Sequence, residues 1–436
     1  MKKMYSHIQV ACLCLFSGIL MNGCVKDSGM KRTRVFMPIY KTSEEVRASI
    51  KTDAPVEVTN PGKLFVMGNY IYLNEVGKGI HIIDNSNPAS PVNKAFIHIP
   101  GNGDLAVKGT TLYADCFTDL MAIDISNPAA VKLKATVTDI FPDRQYVLGY
   151  DVGTNNVIVD WAARDTVIDL EIREGLGIWK GGDYYYGGVI YETDIFALAS
   201  SAYSGSVPSQ SNSNNTAGVA GSMSRFALIQ DYLFAVTNSR LNVVNISNSN
   251  SPQWKQSSTV ATNSTIETIF PFKDKLFIGS TQGMYIYNVS NPETPVAQGQ
   301  FLHARSCDPV IADDNYAYVT QYTGSFCGGS QNILDVVDIK NLNNPALLKS
   351  YTLTNPHGLS KDGNLLFICD GLDGLKLFDA KDPANVKPLA TVAMSETYDV
   401  ISYNKVAIVS AKDGLYQYDY SNTSSPKLLS KISLQH

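Results

Sequence analysis

The stretch Gly79-Ile80-His81-Ile82-Ile83-Asp84-Asn85-Ser86-Asn87-Pro88 returns forty residues later as Asp119-Leu120-Met121-Ala122-Ile123-Asp124-Ile125-Ser126-Asn127-Pro128. In both, a short apolar run ends at an aspartate and passes into Ser-Asn-Pro. The run reads as a strand. The rest reads as a turn, because Ser and Asn side chains bond nearby backbone and Pro cannot extend a strand ladder. The pattern recurs at Leu241–Asn248, Gly283–Pro292, Leu334–Asn341, Leu375–Pro383 and Leu415–Asn422. Its markers are Asp84, Asp124, Asn245, Asn288, Asp338, Asp379 and Asp419, with gaps of 40, 121, 43, 50, 41 and 40 residues. One turn role, in which the marker accepts turn amides, accounts for every copy, so catalysis is a poor reading of them.

The long gap holds a degenerate copy. Leu105–Asn127 aligns without gaps onto Tyr150–Ile172, setting Asp115 on Asp160 and Asp124 on Asp169. Each unit divides into four short strands; in the second they are Asp104–Val107, Thr111–Phe117, Leu120–Ile125 and Lys132–Val137. Four strands per forty residues is the blade of a propeller. The expectation is an all-β chain forming a single β-propeller of about eight four-stranded blades, or seven if the third unit does not complete one. It occupies residues 61–436. Arg34–Tyr40 is expected to close the ring as a strand of the last blade, and Thr42–Ile50 to form a short helix with Ser43 as its cap.

Residues 1–23 read as a signal peptide: Lys2 and Lys3, then an apolar run too short and interrupted to span a bilayer. Met21-Asn22-Gly23-Cys24 resembles a bacterial lipobox, with Cys24 as the lipidated residue, and residues 24–60 then form the anchored linker. Lys26-Asp27 resembles a surface-export signal. The expected location is the bacterial outer membrane, cell-surface exposed, with the membrane engaged through the lipid only. Four cysteines remain after Cys12, Cys14 and Cys24: Cys307 and Cys327 flank one hairpin and are the candidate disulfide, whereas Cys116 and Cys369 read as buried thiols. The net charge of −5, without any basic run, argues against a nucleic-acid partner.

The Leu/Val-x-Ile/Val-x-Asp-x-Ser-Asn-Pro units resemble those of the LVIVD-repeat family of propeller-like surface proteins. Asp143-Arg144-Gln145-Tyr146 and Ser306-Cys307-Asp308-Pro309 resemble lipoprotein members of that family. The resemblance implies a propeller and hands over no catalytic residues.

Two candidate sites follow. Residues 175–222 interrupt the third unit with an aromatic-glycine cluster containing Trp179, Tyr184, Tyr185 and Tyr186. Ser200–Ser222, rich in Ser, Asn and Gly, reads as a surface loop. The alternative packs Tyr184–Val189 as a fourth strand. Aligning the starts of the first strands brings Lys63, Asp104, Arg225, Glu267, Asp308, His357 and Asp399 to one channel mouth. Carboxylates there suggest Ca²⁺; internal charge pairing is the plainer account, and no cofactor is expected. The functional expectation is a monomeric cell-envelope lipoprotein binding a glycan or an envelope protein without catalysis. The alternative is a polysaccharide hydrolase or lyase using the mouth carboxylates.

Overall fold

The computed structural model describes residues 30–147, 150–152, 155–169, 190–191, 218–260, 265–303, 309–323 and 331–434. Two compact units are present. In the smaller, strand Met30–Thr42 lies between Asn156–Asp169 and Ile190–Tyr191, pairing Val35 with Tyr191. The larger holds the propeller.

Among the described residues the propeller has seven antiparallel four-stranded blades. Blade 1 runs from Pro61–Met67 to Val92–His98, and blade 2 from Leu105–Lys108 to Lys132–Val137. Blade 3 spans Phe226–Ile229 to Gln253–Thr259, and blade 4 Ile266–Phe272 to Val296–Leu302. Blades 5, 6 and 7 begin with Val310–Ala312, Leu359–Asp362 and Thr397–Tyr403 and end with Ala346–Thr352, Lys387–Val392 and Lys427–Ser433.

The count is the lower of the two expected, because among the described residues the third unit makes no blade. The expected strands Asn156–Trp161 and Thr166–Ile172 are instead one strand, Asn156–Asp169, since Ala162-Ala163-Arg164-Asp165 between them offers no turn residue with φ above zero. Arg34–Tyr40 also departs from expectation. It belongs to the strand Met30–Thr42 of the three-stranded sheet, and all four strands of blade 7 come from the C-terminal stretch. The short helix is Ser43–Ala48. Its cap is Thr42 rather than Ser43, and Thr42 and Glu45 close a reciprocal capping box.

The marker residues behave as the repeat predicts. Asp84, Asp124, Asn245, Asn288, Asp338, Asp379 and Asp419 each accept the backbone N–H two residues on, at 2.8–3.0 Å. The following Asn or Asp repeats the device, as when Asn87 accepts from Ala89. In every blade the pairing of third and fourth strands slips by one residue, a bulge that deepens the twist. Second and third strands are buried on both faces. Their side chains form clusters linking blades 1, 2 and 3, blades 3 and 4, blades 4, 5 and 6, blades 6 and 7, and blades 7 and 1. The ring is therefore closed.

Replacing Asn288 by Ala strips acceptors from the Ser290 amide and hydroxyl and should cost about 1 kcal/mol. Asn288→Asp keeps the acceptor and should stay near wild type; urea unfolding of both variants checks this.

Candidate functional site

Pairing of first with second strands fixes which residues share a level in the ring. Asp104, Gly358 and Arg225 sit opposite Asp115, Cys369 and Val236, and Asp399 and Thr268 opposite Ser410 and Gly279. The true ring level thus contains Lys63, Asp104, Arg225 and Asp399, but Thr268 and Gly358 in place of Glu267 and His357. Glu267 lies at a register slip in blade 4, so Glu267 and His357 belong one residue higher, on the rim. Asp308 lies outside the described residues, as do Cys24, Cys307, Cys327, Trp179, Tyr184, Tyr185 and Tyr186.

The ring level is not an open mouth. Lys63, Asp104 and Asp399 are 5, 1 and 0% exposed. What covers them is the chain itself. Ser222, expected at the end of a surface loop, is buried, as are Ala220, Met223 and Ser224. Val219 and Ala220 pair with Val66 and Phe65 on the inner edge of blade 1. A side chain at Gly218 would collide with the Phe65 ring and the Val66 carbonyl, so only glycine allows this approach.

Polar contacts then fan outward from the segment. Lys63 Nζ donates to the Met223 carbonyl at 2.8 Å. Ser224 Oγ donates to Asp104 Oδ1 at 3.0 Å, and the Arg225 amide to Asp104 Oδ2 at 2.5 Å. Burial pulls the Lys63 ammonium down to about 8, against the attraction of Asp104 and Asp399. Asp115 accepts from the Asn102 side chain and the Gly103 and Asp104 amides, and is paired with Arg144, whose guanidinium lies over Phe141. This gives the Asp143–Tyr146 region a structural role: it folds back over blade 2.

Asp399 is the odd member. The amides of Val400 and Ser222 are turned toward its carboxyl, but no donor meets either oxygen at hydrogen-bonding geometry. Burial pushes its pKa up to about 7. Gly358 is glycine for the same crowding: a Cβ there would sit 2.3 Å from Asp399 Oδ1.

Above this layer lies an aromatic cluster. The Tyr322 and His357 ring centroids are 4.5 Å apart, and His357 and Tyr398 are 6.0 Å apart, edge to face. The His357 backbone is pinned, its amide donating to Cys369 O and its carbonyl accepting from Thr320 Oγ1. The Asn355 amide group meets its Nε2 at 3.1 Å. Burial holds the imidazole below its ordinary pKa, so it is neutral at pH 7. Tyr398 remains 36% exposed, and Leu372, from the neighbouring loop of blade 6, is 76% exposed. The Tyr398 hydroxyl reaches Glu396 at 3.3 Å. Sequence alignment found His357 but missed Tyr322, Tyr398 and Leu372. Tyr398 directly precedes Asp399, where a register slip displaces it, and nothing in the repeat marks it.

The LVIVD repeat matches residues 62–96, 102–139, 220–260 and 304–353, which fall on blades 1, 2, 3 and 5. The chain carries LVIVD repeats at four places. Blades 4, 6 and 7 lie outside the matched residues and carry the same turns. No curated protein matches the chain. Among solved structures, a protein from Lactobacillus plantarum is similar with TM-score 0.51 at 11% identity, covering 93% of this chain and 97% of the other. BamB from Moraxella catarrhalis is similar with TM-score 0.47 at 7% identity, covering 90% and 94%. At 11% identity the Lactobacillus plantarum likeness speaks to fold alone. Cys116 and Cys369 are buried free thiols. Among the described residues no group of three His, Cys, Asp or Glu is placed to hold a metal ion.

Asp399 yields a pH prediction. The folded chain holds this proton up to about pH 7, whereas the unfolded chain releases it near 3.8. Folded binds more protons across that interval, so stability falls as pH rises through it. Asp399→Asn should abolish this slope, leaving the variant more stable above pH 8 by up to about 4 kcal/mol and the two alike near pH 4. Urea unfolding across that range is the measurement.

Proposed function

We propose that this chain is a non-catalytic binding protein of the bacterial outer membrane, a monomer tethered by lipid on Cys24, that takes a glycan or an envelope protein on the rim above blades 5, 6 and 7. The observation that carries the reading is the Tyr322–His357–Tyr398 cluster beside Leu372. Aromatic faces and an exposed leucine on a pinned backbone offer preorganised apolar contact, and Glu396 and Asn355 supply polar edges. Of the mouth carboxylates that a hydrolase or lyase would use, Asp104 and Asp399 are buried against Ser224 and Gly358. A polysaccharide could not touch them without displacing the chain's own backbone.

Detergent-solubilised full-length protein should capture a binder from arrays of polysaccharides and envelope proteins. Tyr398→Ala and His357→Ala should each weaken it at least about tenfold, while Trp179→Ala separates the insertion from the rim. Binding undiminished in both rim variants would sink the rim as the site. Metabolic labelling with a palmitate analogue should mark the wild type and leave Cys24→Ser unlabelled.

A further inference from the structure

The segment Gly218–Ser224 does something no blade does: it touches six of the seven, with the Phe226 amide of blade 3 donating to Ser224 Oγ at 2.8 Å. It pairs with the inner strand of blade 1, and the Gly218 amide donates to Val107 O in blade 2 at 3.3 Å. The Ile269 amide of blade 4 donates to Ser224 O at 2.8 Å. The Leu359 amide of blade 6 donates to Ser222 Oγ at 2.8 Å. Met223 packs among Leu64, Val66 and Leu73 of blade 1 and Ile401, Ile408 and Leu415 of blade 7.

The path matters as much as the contacts. After blade 2 the chain stays on the rim side, where Phe141 N bonds Thr118 O and Arg144 reaches Asp115. Gly218 lies beside Met67 at the opposite end of the channel, and the segment climbs antiparallel to the inner strand of blade 1, reaching Asp104 just below the rim. Gly218–Ser224 thus runs along the channel from one end toward the other.

We infer that Gly218–Ser224 is a clasp: a strand drawn through the channel that holds blade 7 against blade 1, in the role that a strand shared between first and last blades would otherwise fill. Each blade here is built from its own contiguous stretch, so nothing covalent crosses the blade 7–blade 1 seam. Side-chain packing is supplemented at that seam by the Asn85–Gln417 amide pair and by Ser430 Oγ donating to Pro88 O. Met223 sits in the middle of that packing, with its carbonyl tied to Lys63. The channel is consequently no conduit: its inner hydrogen-bonding edge is spent on the chain itself.

Native-state hydrogen exchange resolved by segment tests this independently of any ligand. In Met223→Ala and in the milder Ser222→Ala, amides of Leu64–Ile71 in blade 1 and Ile401–Ile408 in blade 7 should exchange about tenfold faster or more, while those of Leu276–Ile278 in blade 4 keep their wild-type rates. Ser290→Ala, in an outer turn of blade 4, serves as the comparison and should leave the seam unchanged. Unaltered seam exchange in Ser222→Ala and Met223→Ala, or acceleration spread evenly over all blades, would overturn the clasp. Should Met223→Ala yield no folded protein, Ser222→Ala decides alone, since it removes a single hydroxyl.

Discussion

A four-stranded blade has two apolar faces and can hide neither by itself. In this chain the second and third strands carry the load: Leu233, Phe234 and Ala235, or Leu366, Phe367 and Ile368, alternate between the two neighbouring seams and are buried at both. Each blade must therefore have a neighbour on either side, and the requirement stops only when the last blade meets the first. The cluster uniting Ile71, Ile83, Ile401 and Ile408 is where it stops. Marker turns and outer bulges serve the same end, since they set the sharp reversals and twist that let wedges of sheet radiate from a narrow centre.

That centre is the costliest place in the fold. Inner strands converge there with backbone groups on one edge unpaired, and unpaired buried amides are expensive. A water-filled channel is one solution. Here Gly218–Ser224 supplies part of the other, adding a strand to blade 1 and offering carbonyl and hydroxyl acceptors to Lys63, Ile269 and Leu359. The charged groups at this level follow from the same economy: Lys63 answers the Met223 carbonyl, and Asp104 receives Ser224 and the Arg225 amide. Only Asp399 has no comparable donor, and burial keeps its proton on.

Much of this was legible in the sequence. The Asp-x-Ser-Asn-Pro units mark their turns because each uses local side-chain-to-backbone bonds, and local bonds leave local signatures. Seven markers gave seven blades; the eighth unit was inferred from alignment, and failed where Ala162–Asp165 provides no turn. What local chemistry does not record is register across strands. The alignment set Glu267 and His357 level with Asp104; the strand pairing puts Thr268 and Gly358 at that level instead and leaves Glu267 and His357 one residue up, on the rim. Nor does composition separate a buried small-residue strand from a loop: Gly218-Val219-Ala220-Gly221-Ser222 is as small and polar as the serine-rich stretch before it, yet small side chains are what a crowded channel accepts.

The same one-residue offset divides the proposed site from the scaffold. Had His357 and Tyr398 stood level with Asp104, their rings would be buried against the clasp like Asp399. Raised by one residue, they stand above it, with Tyr398 meeting solvent beside Leu372 while the backbone beneath stays fixed by Thr320, Cys369 and Gly358. Burial at the ring level makes the charges structural, and the step up makes the aromatics available. Because the clasp closes the channel directly below, a ligand at the rim meets a floor of protein, and its contacts must come from the rim loops alone. Those loops diverge between blades while the turns on the opposite side repeat, which is the division expected when one face holds the fold and the other is free to recognise something.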